Sequence, residues 1–109
     1  VRGERVSKET RGLDLVLESV RYQPDGERLQ FARGYARRGF VWGDLVLLSR
    51  EELLHHLRAK KRVVTGRPAG IEGNFEVYAT VRLAGKNGNE VLLAGESEGQ
   101  RDDLGLPIV

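Results

Sequence analysis

The sequence has 109 residues, no cysteine and no methionine, 39% hydrophobic and 31% charged residues, and a formal net charge of +2. A chain of that length suits one domain burying about 60 to 70% of its unfolded surface, and its composition excludes disulfides, thiolate metal sites and wholesale disorder. No apolar run exceeds four residues, as at 45–48, where a membrane-spanning helix needs about 20.

Residues 1–12 carry only Val1 and Val6 as apolar side chains and read as a mobile arm. Residues 13–22 alternate, with Leu13, Leu15 and Leu17 on one face and Val16, Val20 and Tyr22 mostly on the other, as in a strand covered on both sides. Pro24, Asp25 and Gly26 then supply a turn, because proline presets φ and glycine accepts a positive φ. The return strand, 28–36, puts Leu29, Phe31, Arg33 and Tyr35 on one face, opposite Arg28, Gln30, Ala32, Gly34 and Ala36. Arg37, Arg38 and Gly39 form the next tip, and 40–48 make a third strand in which Gly43 and Asp44 predict a bulge.

Ser49 and Glu52 form a capping box, since the hydroxyl can accept from the third helical amide while the carboxylate reaches back to the cap's own amide. The helix it opens, 50–60, has an apolar stripe of Leu53, Leu54 and Leu57 and a basic last turn suited to the helix dipole. A short strand at 62–66 and a glycine-bearing loop at 67–73 precede the cleanest alternation in the chain, 75–83. An Asn-Gly tip at 86–89 leads into a last strand at 90–94. The acidic tail, 96–109, ends in an apolar segment, 106–109, expected to dock on the body or on a neighbour.

These elements give an α+β, mostly β domain at 13–95, in the order β-β-β-α-β-β-β, flanked by arm and tail. A single helix covers one sheet face, so the expected architecture is a curled antiparallel sheet or a partly open small barrel with one helix. The order approaches that of oligonucleotide-binding barrels, a topological analogy that no motif in the residues carries.

Charge is unevenly placed. Residues 28–67 hold ten Lys/Arg against three Asp/Glu, residues 1–27 hold five against six, and residues 68–109 hold three against seven. A basic patch creates a local potential that steers anionic partners, whatever the net charge. The candidate anion-binding residues are Arg33, Tyr35, Arg37, Arg38, Lys60, Lys61, Arg62 and Arg67. Phe31, Arg33 and Tyr35 share a face, as in binders of single-stranded nucleic acid, where bases stack on rings and Arg meets phosphate. A small core with seven aromatic residues also needs such rings, and that reading is preferred for Phe31 and Tyr35. Arg37 and Arg38, at a hairpin tip, are expected to be exposed, and helix-end stabilisation explains Lys60 and Lys61 but not Arg62 or Arg67. Proximity of the two basic clusters in the fold is what would join them into one site.

No pattern supports an enzyme, a cofactor or a metal. His55 and His56 are adjacent on a helix, about 100° apart, and no third histidine exists. The glycine loop lacks a phosphate-cradling motif. Cysteine is absent, of the serines Ser7, Ser19, Ser49 and Ser97 the third is accounted for as a helix cap, and Glu96, Glu98, Asp102 and Asp103 fall in a tail where neither burial nor fixed geometry is expected. The expectation is therefore a cytoplasmic binding domain for nucleic acid or another polyanion, without a membrane partner, and no secretory signal is visible. The alternative is a homo-oligomer in which the basic middle of one copy meets the acidic tail of another, and a third reading is a barrel around a small molecule. Three Asn and three Gln would suit a heat-adapted host, and the missing initiator methionine leads us to expect a processed or truncated start.

Overall fold

The computed structural model describes residues 2–8, 10–70, 74–85 and 88–109. Its elements are β1 (Leu15–Tyr22), β2 (Leu29–Arg38), β3 (Val41–Ser49), α1 (Arg50–Arg58), β4 (Val63–Pro68), β5 (Phe75–Ala84) and β6 (Val91–Ala94). The mostly β composition, the single helix and the element order are those the residue pattern predicts. The expected tip at 86–89 and the end of the loop at 67–73 lie partly outside the described residues.

The strands form one six-stranded sheet in the order β3-β2-β1-β4-β5-β6, curled but not closed. It is mixed rather than antiparallel throughout, because β1 and β4 run parallel, with Leu15 opposite Val63 and Leu17 opposite Thr65. The cause is the helix. β3 ends at the far side of the sheet, α1 carries the chain back to the side where β1 begins, and β4 sets out in the direction of β1.

Bulges decide which side chains share a face. On β1, Leu17 pairs with Gly34 and Ser19 with Arg33, so Glu18 is the extra residue. Beyond it the alternation flips, and Val20 and Tyr22 pack with Leu15 and Leu17 instead of opposing them. Leu13, outside the strand, packs instead with Val16. On β2 the extra residue is Gln30, which moves Leu29 to the face of Ala32 while Phe31, Arg33 and Tyr35 stay together. A third irregularity sets Gly43 and Asp44 against Ala36, at the predicted bulge. Beside the first bulge only glycine fits at position 34, where a Cβ would lie 2.5 Å from the Val16 carbonyl oxygen.

Two cores result, one on each face. The larger joins Leu15, Leu17, Val20, Leu29, Ala32 and Leu48 to Leu53 and Leu54 of α1, with Val81 and Leu92 completing the curl. The smaller holds Leu13, Val16, Trp42, Val64 and Phe75. The capping box of α1 is formed as expected, Ser49 accepting from the Glu52 amide and Glu52 from the Ser49 amide.

The C-terminal segment bridges β6 to the end of β1, beyond the point where β4 leaves it. The Asp103 amide donates to the Leu92 carbonyl at 2.8 Å, and farther on the Val109 amide donates to the Val20 carbonyl at 2.9 Å. Leu104 and Leu106 are buried in the larger core. Asp102, expected in a solvated tail, is instead fully buried, its side chain 0% exposed. Its carboxylate accepts from the backbone amides of Leu29 at 2.6 Å and Leu92 at 2.9 Å, and from Arg50 Nε at 2.8 Å. One carboxylate thus fastens the tail to β2, β6 and the first turn of the helix.

Candidate anion-binding surface

The parallel pairing of β1 and β4 brings the two basic clusters together. Leu15 pairs with Ala36 on one side and Val63 on the other, so Arg37 and Arg62 follow and precede residues about 10 Å apart across one strand. Both lean on Asp14: the Arg37 amide donates to its carbonyl at 3.0 Å, and the Arg62 amide to its Oδ2 at 2.9 Å. Arg38, exposed, lies at the end of β2, while Lys60 and Lys61, also exposed, lead from α1 into Arg62. Arg37 is half-buried rather than open, because its guanidinium donates to the Arg11 carbonyl. Among the described residues none of Arg37, Arg38, Lys60, Lys61 and Arg62 forms an ion pair.

The helix end that delivers these cations has an unusual residue at its turning point. Lys60 has φ +64°, a left-handed conformation where glycine is preferred. Its amide donates to the Leu57 carbonyl and that of Lys61 to the His56 carbonyl, each at 3.1 Å, which closes the last turn in a Schellman motif. A lysine here sacrifices stability that glycine would supply. Lys60→Gly is therefore expected to raise stability by about 1 kcal/mol while removing one cation, which urea denaturation and polyanion binding measured on the same variant will check. The positive surroundings also register on His56, held below its ordinary value of 6.5 first by burial and then by Lys61 and His55.

Three candidates lie elsewhere. Arg67 is about 16 Å along β4 from Arg62 and pairs with its cross-strand partner Glu76 at 2.9 Å, an exposed contact worth little energy. Tyr35 packs on Phe75, ring centroids 5.6 Å apart, at the margin of the smaller core, and burial raises its pKa, with Glu18 adding to the effect. Arg33 lies on the same face about 13 Å back along β2 from Arg37, next to Phe31, Leu45 and Leu47 in a shallow depression. Phe31 is half-buried and carries Arg21 over its ring at 5.5 Å.

Sequence reasoning missed Arg5 and Arg11. Both belong to the segment read as an arm, yet residues 3–6 are laid along the start of β3: Gly3 donates to the Trp42 carbonyl at 2.7 Å, Trp42 to the Glu4 carbonyl at 2.9 Å, and Val6 to the Phe40 carbonyl at 2.8 Å. Arg5, Arg11 and Arg37 consequently line one concavity of about 500 Å³ with Val6, Gly39 and Phe40. The available signal was the spacing of Arg5, Lys8 and Arg11, three cations with Val6 as the one apolar side chain between them. His55 and His56 have ring centroids 6.1 Å apart, and no third ligand joins them among the described residues. Comparison of the chain with protein-family models, curated proteins and solved structures finds no match.

Proposed function

We propose that the basic end of the sheet binds the phosphate backbone of a nucleic acid or a similar polyanion. The observation that carries this reading is the convergence of Arg37 and Arg62 on either side of Asp14, with Arg38, Lys60 and Lys61 beside them and ion-paired partners lacking among the described residues. Here five cations outnumber the single Asp14 carboxylate between them, and such an excess attracts phosphate and releases its counterions, so binding weakens as salt rises. Self-association through the acidic tail is the weaker reading, since Asp102 is engaged by Arg50 of the same chain and Leu104 and Leu106 are buried in its own core. A small-molecule barrel is weaker still, because the interior is filled by the larger core.

Equilibrium titration of labelled single-stranded and duplex oligonucleotides between about 50 and 200 mM salt tests the reading. Wild-type affinity should fall steeply across that range. In the double variant Arg37→Glu/Arg62→Glu the slope of log affinity against log salt should become shallower by about 2, one unit per lost contact. Absence of binding at the lowest salt, or a double variant that binds like the wild type, rejects it.

A further inference from the structure

We infer that the basic end is built for a single strand, with a base stacked on Phe40 and the adjoining phosphate held in the concavity between Arg5, Arg11 and Arg37. This rests on the polyanion reading above and specifies its ligand. Phe40 is 84% exposed, the most open large hydrophobic side chain among the described residues. It is not on a loose loop. Gly39, at φ +65°, makes the β2–β3 turn tight, and the Phe40 carbonyl is anchored by the Val6 amide at 2.8 Å, so the ring stands on fixed backbone at the rim of an arginine-lined cleft. The cleft's volume of about 500 Å³ falls within the roughly 300 to 1,000 Å³ of ordinary ligand sites.

The arginines are arranged for phosphate. One guanidinium nitrogen of Arg37 is engaged by the Arg11 carbonyl, which orients the group and leaves the rest of its fork for a bidentate contact. The choice between strands follows from base accessibility. In a duplex the base faces are stacked on one another and a protruding ring reaches one only by prising a base step apart, at the cost of unstacking it, whereas unpaired bases expose theirs. An exposed aromatic ring at the rim of an arginine-lined cleft suits the second kind of ligand better.

The test compares oligothymidylate with a duplex of equal length, using the full chain. Phe40→Leu keeps an apolar side chain at an exposed turn, so its thermal unfolding should match that of the wild type. It should weaken oligothymidylate binding about 5- to 150-fold, the worth of one stacked base, while leaving duplex binding and the salt slope unchanged. Phe40→Trp should retain affinity and show quenched fluorescence on binding. Equal affinity of Phe40→Leu and wild type for oligothymidylate overturns the single-strand inference; if Arg37→Glu still weakens binding, the polyanion reading stands without it. No binding of either oligonucleotide at low salt overturns both.

Discussion

Replacing Asp102 with alanine is expected to destabilise the protein by about 3 to 5 kcal/mol, the usual cost of removing one partner from a buried ion pair. The side chain is 0% exposed and its partner Arg50 is 20% exposed, so neither charge is rehydrated without movement of the tail. Truncation strands the Leu29 and Leu92 amides as well, both of which donate to the carboxylate, and unpaired buried donors carry their own desolvation penalty. Arg50 also donates to the Glu90 carbonyl at 2.6 Å, which keeps its guanidinium in place after the carboxylate is gone. The same geometry fixes the pH dependence. Burial raises the Asp102 pKa, but hydrogen bonds from Arg50, Leu29 and Leu92 outweigh it, and the net value lies below the ordinary 3.8. A depressed folded-state pKa means stability that is complete above about 3.8 and is lost as pH falls through the lower folded value. Urea denaturation of wild type and Asp102→Ala at neutral pH and near pH 3 should show the two curves converging in acid. A neutral-pH cost under about 1 kcal/mol would show that the carboxylate is not the fastening point.

The difference between Asp102 and its neighbours marks where the sequence ceases to be readable. Strands 75–83 and 40–48 and the box at Ser49 announce themselves because each depends on contacts within a few residues. Even the bulge at Gly43 is local, since glycine beside aspartate disfavours regular pairing. The bulge at Glu18 has no such mark, so the faces of Val20 and Tyr22 are inverted in a strict alternation. Parallel pairing of β1 with β4 depends on how α1 returns the chain, and the meeting of Arg37 with Arg62 depends on that pairing in turn. Asp102 stands among exposed polar residues, 96–101 and 103. Nothing in the local pattern distinguishes a carboxylate that closes the fold from its solvated neighbours. Arg5 and Arg11 were hidden for the related reason that their segment is ordered by the edge of β3 rather than by any periodicity of its own.

That edge makes Trp42 the second position of large effect. Its indole is 0% exposed and meets Phe75 edge-on, ring centroids 4.7 Å apart, within the smaller core. Trp42→Ala should cost about 3 to 5 kcal/mol through lost burial and an incompletely collapsed cavity. Trp42→Phe should cost less than half as much. It retains an aromatic body for Phe75, and it deletes an indole N–H that has no acceptor among the described residues, a buried donor whose desolvation otherwise weighs about 1 to 3 kcal/mol against the fold. Circular dichroism is the appropriate probe of unfolding, because Trp42 is the sole tryptophan in the chain. The same pair of variants separates stability from function. The Trp42 backbone exchanges hydrogen bonds with Gly3 and Glu4, so its side chain holds in register the strand edge on which Arg5 is carried. If the basic cleft contributes to polyanion binding, Trp42→Ala assayed under conditions where it remains folded should bind more weakly than Trp42→Phe, although neither substitution removes a charge. Equal affinity of the two would mean that the arm's cations act independently of the edge to which they are tied.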